Sequence, residues 1–180
     1  FGVPCLHFDE VLEHPEVEVV CICTPSGQHA TQTIAAAKAG KHVLVEKPMA
    51  LSLEDAEAMI QACDENHVQL GVVLQRRSET LFQQVKAALE AGDLGDITLG
   101  SVTMPYLRPQ SYYDQAQWRG TKAQDGGGVL MNQGIHLLDL LLWFMGDPIK
   151  ISAYADILQR NIEVEDTLVA TLQFANGALA

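Results

Sequence analysis

The stretch VEVVCICTPSGQHATQTIAAAKAGKHVLVEKP, residues 17–48, decides the fold of this chain. It begins with the apolar, β-branched run Val17 to Thr24 and ends with a second run of the same kind, Val43 to Glu46. Between them lies the alanine-rich segment His29 to Ala39, which has a helical composition and a stop signal at Gly40. A strand, a helix and a second strand in this order predict a parallel βαβ unit with a right-handed crossover.

The alternation continues on the C-terminal side of this stretch. Leu70 to Leu74 is a third apolar run, and the helical segment before it begins with a capping box at Ser52 to Asp55. Ser26 is a candidate N-cap for the earlier helix. Strands that alternate with helices in this way form half of a doubly wound nucleotide-binding sheet. We therefore predict an α/β fold in which residues 1–94 form part of a Rossmann-like domain.

Residues 95–180 follow a different pattern. A further helix, about Glu79 to Ala91, precedes them. Several later segments show the alternation of apolar and polar residues that is typical of one-sided antiparallel strands: Ile97 to Met104, Ile149 to Leu158 and Thr167 to Phe174. Asn176-Gly177 is a hairpin signal that lies close to the end of the sequence. We predict an incomplete α+β substrate domain with a mostly antiparallel, open sheet.

The composition is that of a globular protein, with 48% apolar and 19% charged residues. A net charge of -12 disfavours binding to nucleic acid or to anionic membrane surfaces, and no apolar run is long enough to span a bilayer. The cysteines show neither zinc-site spacing nor a disulfide framework; they are Cys5, Cys21, Cys23 and Cys63. We expect a cytoplasmic protein whose cysteines are reduced core residues.

Polar and turn-forming residues follow each predicted parallel strand. In an open α/β sheet, the carboxyl ends of the strands border the ligand crevice. The groups at these ends are Thr24-Pro25 through His29, then Glu46-Lys47-Pro48, then Gln75-Arg76-Arg77. The edge that they share is therefore the candidate cofactor site.

The motifs of both halves resemble one protein family over nearly the whole chain. The T-P-x-x-x-H loop from Thr24, the E-K-P tripeptide from Glu46 and the later G-G-G-x-x-x-N-x-G-x-H-x-x-D run are similar to those of Gfo/Idh/MocA oxidoreductases. The resemblance implies an NAD(P)-dependent dehydrogenase that transfers hydride between a nicotinamide cofactor and a secondary hydroxyl of a sugar. It also implies a homo-oligomer that pairs through the open sheet when the protein is full length.

In such a fold, the first βαβ segment carries the G-x-G-x-x-G turn that cradles the cofactor phosphates and the residue that selects NAD or NADP. That segment is missing from the pattern, and the sequence begins with Phe1 rather than with Met. We therefore expect this chain by itself to bind dinucleotide poorly and to be inactive. NAD and NADP both stay open as the cofactor.

Lys47 is the leading catalytic candidate, and a solvated lysine on a surface helix is the alternative. An ammonium group beside an alcohol or carbonyl oxygen stabilises the alkoxide-like charge that develops during hydride transfer. The resemblance implies that Lys47 is catalytic, that it contacts both cofactor and substrate, and that a cis bond to Pro48 aims it into the crevice. It further implies that Glu46 contacts the cofactor ribose. The alternative for Glu46 is a plain salt bridge to Lys47.

The second candidate group lies on a glycine-led helix. Gly126 to Gly128 precede Asn132, His136 and Asp139, which form one polar stripe at 100° per residue. A helix with a polar face toward solvent is the alternative, but three glycines let the backbone approach a ligand closely. The resemblance implies that His136 is the general base and contacts substrate. Many family members carry aspartate at Asn132, so we expect this residue to orient substrate hydroxyls, while either His136 or Lys47 handles the proton.

Other predicted site residues have weaker signals. The resemblance implies cofactor contacts from Thr24, Pro25, Gln75 and the pair Trp118-Arg119. Arg119 is also a candidate for binding an anionic substrate. For His29, a structural role and a cofactor contact are equal alternatives. We predict no metal site, since His136 and Asp139 have no third ligand at suitable spacing.

The substrate class also follows from resemblance. The run from Tyr112-Tyr113 through Trp118-Arg119-Gly120 to His136 is most similar to the branch that oxidises C3 of UDP-linked amino-sugar uronates. A myo-inositol or simple-sugar dehydrogenase is the close alternative. A non-catalytic, cofactor-binding regulator is the alternative from another class.

Overall fold

The computed structural model describes residues 2–180; Phe1, where the predicted first domain begins, lies outside the described residues. The chain forms two compact units, one ending at Val73 and the other spanning Leu74–Ala180. This division assigns the helix Thr80–Glu90 to the second unit, whereas the sequence-based division into residues 1–94 and 95–180 placed it in the first. The position of the functional domain boundary stays a prediction.

The first unit contains a parallel sheet with the strand order β1-β2-β3, as predicted. Its elements are α1 (Phe8–Glu13), β1 (Val19–Ile22), a 3-10 turn (Ser26–Gln28), α2 (His29–Lys38), β2 (His42–Val45), α3 (Leu53–Glu65) and β3 (Leu70–Val72). The strand, helix, strand, helix, strand order is confirmed. β1 and β3 are shorter than their apolar runs, and β2 begins and ends one residue before its run; in all three, the end of the run belongs to the polar loop beyond the sheet.

The core of this unit lies on one face of the sheet. In β1 and β2, buried and exposed residues alternate, and the buried ones pack with Ala36 of α2 and Met59 of α3. The opposite face is exposed, and Cys21 lies on it. The prediction that all the cysteines are core residues is therefore wrong: Cys63 is buried, but Cys5 and Cys23 are also exposed.

Of the three helix ends that the sequence predicted from capping residues, two are confirmed. The hydroxyl of Ser52 accepts a hydrogen bond from the Asp55 N–H at 3.0 Å, which confirms the cap of α3. Gly40, with φ of 72°, ends α2 in the left-handed conformation that glycine favours. The prediction that Ser26 caps α2 is wrong, because Ser26 lies inside the 3-10 turn and α2 begins three residues later, at His29.

The second unit contains an antiparallel pair of strands, as predicted. Its elements are a 3-10 turn (Gln75–Ser78), α4 (Thr80–Glu90), α5 (Gln110–Asp114), a π-helical turn (Leu130–Gly134), α6 (Ile135–Met145), β4 (Pro148–Asp156) and β5 (Thr167–Phe174). No helix of the described residues is long and apolar enough to cross a membrane.

The expected strand from Ile97 to Met104 does not form. Among residues 2–180, its only sheet-like pairing is a parallel bridge between Leu99 and Leu179, with Gly100 N–H donating to the Leu179 carbonyl at 2.9 Å. Because a single residue pairs with this segment, no ladder of hydrogen bonds forms that could make it a strand. The hairpin at Asn176-Gly177 is confirmed: Gly177 has φ of 87°, and the chain after it returns along β5.

The two faces of the β4–β5 pair differ in character. Ile149 and Ile151 project from one face and are 65% and 61% exposed. Ile151 pairs with Leu172, and the alanines that follow on both strands continue the same apolar face. The antiparallel sheet that the sequence predicts is therefore present, and most residues on both of its faces are exposed.

Candidate functional site

The first unit brings several predicted site residues to the carboxyl edge of its sheet. Glu46 directly follows β2, and its backbone N–H still donates to the Ile22 carbonyl at 2.9 Å. The peptide bond from Lys47 to Pro48 is cis, as the resemblance implied. The Glu46 carboxylate accepts a hydrogen bond from the backbone N–H of Lys47 at 3.2 Å. Lys47 thus stands at the strand end rather than on a surface helix.

His29 ties two of these loops together. Its side chain is buried, and its Nδ1 lies 2.8 Å from the Pro48 carbonyl oxygen while its Nε2 lies 2.9 Å from that of Thr24. The Thr24 hydroxyl in turn donates to Gln32 of α2 at 2.7 Å. These contacts explain the buried imidazole by a structural role, since its ring joins the ends of β1 and β2. A direct cofactor contact by His29 stays a prediction.

In the second unit, the helix with Asn132 and His136 departs from simple α geometry. Asn132 lies in the π-helical turn, and His136 lies in the first turn of α6. The step of 100° per residue therefore does not hold between them, because a π-turn closes on the fifth residue rather than the fourth. The predicted stripe needs this correction. Inserted π-turns are frequent at functional sites, and no local sequence signal marks this one.

The start of this helix is held by Glu165, a residue that sequence reasoning missed. Its carboxylate accepts hydrogen bonds from the backbone N–H groups of Gly128 at 3.0 Å and Leu130 at 3.3 Å. Its carbonyl oxygen accepts from the Val129 N–H at 2.9 Å. Glu165 thus satisfies donors that the first turn of a helix leaves unpaired, and its negative charge suits that end of the helix.

The glycine run has a structural reason for part of its composition. A Cβ atom on Gly128 would overlap the backbone of Glu165, and one on Gly127 would overlap the Met131 side chain. The close approach at these two positions is to the chain itself. The approach to a ligand that the sequence suggested stays a prediction. Gly126, with φ of 78°, adopts the left-handed conformation that begins the run.

Asp139 does not face solvent. It is buried on α6 and forms a two-pronged ion pair with Arg77, whose Nε lies 2.8 Å from Oδ2 and whose Nη2 lies 2.5 Å from Oδ1. This hydrogen bonding to Asp139 raises the pKa of the Arg77 guanidinium. Gln75, a predicted cofactor contact, is exposed at the start of the same 3-10 turn.

Arg119 is held inside the second unit by neutral partners. Its guanidinium donates to the Tyr112 carbonyl at 3.1 Å and to Gln115 at 3.2 Å, and it lies 4.4 Å from the centre of the Tyr112 ring. The guanidinium carbon of Arg119 also lies 5.6 Å from the ring centre of Trp118. Together with Tyr113, Arg119 lines a cavity of about 540 Å³. Burial raises the pKa of the Tyr113 phenol.

The structure thus places Thr24, Pro25, His29, Glu46 and Lys47 together at one edge of the first unit. Gln75, Trp118, Arg119, Asn132 and His136 belong to the second unit. Among residues 2–180, no group of three or more side chains is arranged to bind a metal ion.

Comparisons with known proteins match both units. Residues 1–74 match the oxidoreductase family with an NAD-binding Rossmann fold, and residues 82–180 match the GFO/IDH/MocA C-terminal domain. The crystal structure of the WlbA dehydrogenase from Bordetella pertussis in complex with NADH and UDP-GlcNAcA is 44% identical, with a TM-score of 0.91; the match covers 96% of this chain and 54% of that one.

Several curated relatives are inositol dehydrogenases. The scyllo-inositol 2-dehydrogenase (NADP(+)) IolW of Bacillus subtilis is 35% identical over 92% of this chain and 45% of its own length. The myo-inositol 2-dehydrogenase of Thermotoga maritima is 31% identical over 94% of this chain and 50% of its own length. The chain therefore spans about half the length of the curated relatives that it matches.

Proposed function

This chain belongs to the Gfo/Idh/MocA family of oxidoreductases, and on that premise we propose that the whole protein transfers hydride between NAD or NADP and a secondary hydroxyl of a sugar. The observation that carries the proposal is the position of Glu46-Lys47. These residues directly follow a parallel strand that is buried on one face, in the unit that matches the NAD-binding family. A lysine and a carboxylate at a strand end border the ligand crevice of such a sheet.

The residues present fit the ribose and nicotinamide side of a dinucleotide. The partly exposed Glu46 carboxylate already accepts one N–H group and has further acceptor capacity for ribose hydroxyls. Thr24 and Pro25 continue the same edge, and we propose that Gln75, Trp118 and Arg119 approach the cofactor from the second unit. When bound, the cofactor supplies the carbon that accepts the hydride.

We propose that Lys47 and His136 act on the same substrate oxygen. The ammonium group of Lys47 stabilises the negative charge that grows on that oxygen as the carbinol C–H bond breaks. His136 accepts the hydroxyl proton as the hydride leaves, so that alcohol becomes ketone, and it returns the proton in the reverse direction. Asn132 donates to and accepts from neighbouring hydroxyls and orients the ring.

For the substrate, we propose C3 of a UDP-linked amino-sugar uronate. The support is that the WlbA structure, at 44% identity, contains UDP-GlcNAcA, whereas the inositol dehydrogenases are 35% and 31% identical. An inositol or simple-sugar dehydrogenase is the second candidate. A regulatory protein that binds cofactor without turnover is the third, and the presence of both Lys47 and His136 disfavours it.

The test uses the full-length gene product with NAD and NADP and a panel of UDP-GlcNAcA, myo-inositol, scyllo-inositol and levoglucosan. We expect reduction of the cofactor with UDP-GlcNAcA. Lys47→Ala and His136→Ala should each lower kcat by about 100-fold or more. The matched control is Lys38→Ala, at the end of α2, which should keep full activity.

Full activity in both site variants would refute the assignment of Lys47 and His136. Turnover of an inositol but not of UDP-GlcNAcA would select the second candidate. Tight NADH binding without turnover of any sugar would select the regulator.

We also propose that the whole protein is a homo-oligomer and that it works in the cytoplasm. The exposed apolar face that contains Ile149 and Ile151 is suited to burial against the same face of a second copy. The free cysteines are typical of a reducing compartment. Ile151→Lys should lower the mass of the assembly measured by analytical ultracentrifugation; an unchanged mass would contradict pairing through this face.

A further inference from the structure

We infer that Arg77 and Asp139 form a positioning pair that holds the His136 helix against the turn that carries Gln75. The inference rests on the proposed function, because it assigns the pair a role in that reaction. Arg77 and Asp139 are positioning residues, since they act through Gln75 and His136.

Arg77 and Asp139 form a bidentate ion pair, called the fork below, rather than a contact between single atoms. Two nitrogens of Arg77 contact the two oxygens of Asp139, at 2.8 and 2.5 Å. The Asp139 side chain is only 10% exposed and that of Arg77 is 43% exposed. Bidentate guanidinium-carboxylate pairs fix orientation as well as distance, and a lysine cannot reproduce their geometry.

Aromatic and cationic neighbours hold the fork in place. The guanidinium carbon of Arg77 lies 5.5 Å from the centre of the Trp143 ring, within the range of a cation-π contact. Lys86 of α4 donates to the Trp143 carbonyl oxygen at 2.9 Å and lies 5.9 Å from the same ring centre. Trp143 also stacks on Phe144, with ring centres 5.5 Å apart. The C-terminal half of α6 is therefore attached to both the 3-10 turn and α4.

The position of the fork links two of the proposed functional residues of the second unit, His136 and Gln75. Asp139 follows His136 by about one helical turn, which is about 4.5 Å along the axis of α6. Arg77 lies in the same 3-10 turn as Gln75. A slide or rotation of α6 against that turn would therefore move His136 relative to Gln75. A misplacement of about 1 Å can lower a rate about 100-fold.

A neighbouring ion pair provides the matched control. Arg76 contacts Glu79 through one nitrogen at 3.3 Å, and the two side chains are 34% and 48% exposed. This pair lies in the same segment, but its partners are three residues apart and do not involve α6. Exposed pairs of this kind contribute little, so their loss should not move the helix.

The test compares Arg77→Lys, Asp139→Asn, the double variant and the control Glu79→Gln in the full-length gene product. We expect each single variant to lower kcat by about 10-fold to 100-fold, with the KM for the sugar changed less than about threefold. The double variant should lose no more kcat than the less active of the two single variants, because both changes break the same interaction. Glu79→Gln should behave like the unmodified protein.

Two readouts do not depend on turnover. The imidazole NMR signals of His136 should shift in Arg77→Lys but not in Glu79→Gln, and the Kd for NADH should rise in the former. Unchanged His136 signals, multiplying losses in the double variant, or a loss of kcat matched by an equal loss of folded protein would each overturn the inference. If the unmodified protein turns over no sugar, the proposed function fails, while the NMR comparison still decides the pair.

Discussion

Removal of the Glu165 carboxylate should destabilise the second unit and disturb the helix that carries Asn132 and His136. Glu165→Ala removes the acceptor for the Gly128 and Leu130 N–H groups, at 3.0 and 3.3 Å. Hydrogen bonds to a charged group contribute about 1.5–3 kcal/mol each, and loss of a helix cap costs about 0.5–2 kcal/mol. Because Glu165 is partly exposed, water can replace some of this, so we expect a loss of about 2–3 kcal/mol in the free energy of unfolding.

The assay is urea denaturation of the full-length protein followed by circular dichroism, with Glu163→Ala as the control. Glu163 accepts from a single backbone N–H, that of Lys122 at 2.9 Å, and it is exposed. Its loss should cost less than about 1 kcal/mol. An equal effect of the two variants would refute the view that Glu165 caps the helix. Glu165→Gln, which keeps one acceptor oxygen, should fall between them.

Gly128→Ala should lower the free energy of unfolding by on the order of 3 kcal/mol, measured by urea titration, because its Cβ would overlap the backbone of Glu165; a neutral effect would contradict this packing. Burial alone would raise the pKa of Asp166, but hydrogen bonds from backbone N–H groups and Thr167 outweigh it and hold the pKa below its ordinary value. The stability that Asp166 contributes should therefore be complete above the ordinary carboxyl pKa and lost as pH falls through the lowered one, so that Asp166→Asn and the unmodified protein converge in acid; a difference that persists there would contradict this. This chain alone should bind NADH weakly in calorimetry, because the phosphate-cradling turn is not among residues 2–180; tight binding would refute that view.

The sequence predicted the first unit well because local patterns and short crossovers determine it. The three apolar runs became β1, β2 and β3 in parallel, and Ser52 and Gly40 act at the helix ends as expected. The failure at Ser26 has a local cause as well: a 3-10 turn intervenes before α2, and composition does not distinguish the two kinds of turn. The position of Glu46-Lys47 at a strand end followed from the same patterns.

The expected strand at Ile97 to Met104 shows where pattern alone misleads. Alternation describes which faces of a segment could be buried, but a strand forms only where a partner offers a ladder of hydrogen bonds. In the part of the chain that the structure describes, this segment forms a bridge with Leu179 alone. The prediction for the cysteines failed in a similar way. Cysteine is a residue type that core positions favour, but Cys21 lies on an exposed face of the sheet.

By itself, the sequence determined the order of the elements, the parallel sheet, the cis-linked Lys47 at its edge through family resemblance, and the helix of His136. Only the tertiary structure decided how that helix is held: by Glu165 at its start, by Arg77 on Asp139, and with a π-turn at Asn132. The physical reason is that periodicity and caps act over a few residues, whereas these carboxylates meet partners far away in the chain, and such pairings arise only when the backbone is folded.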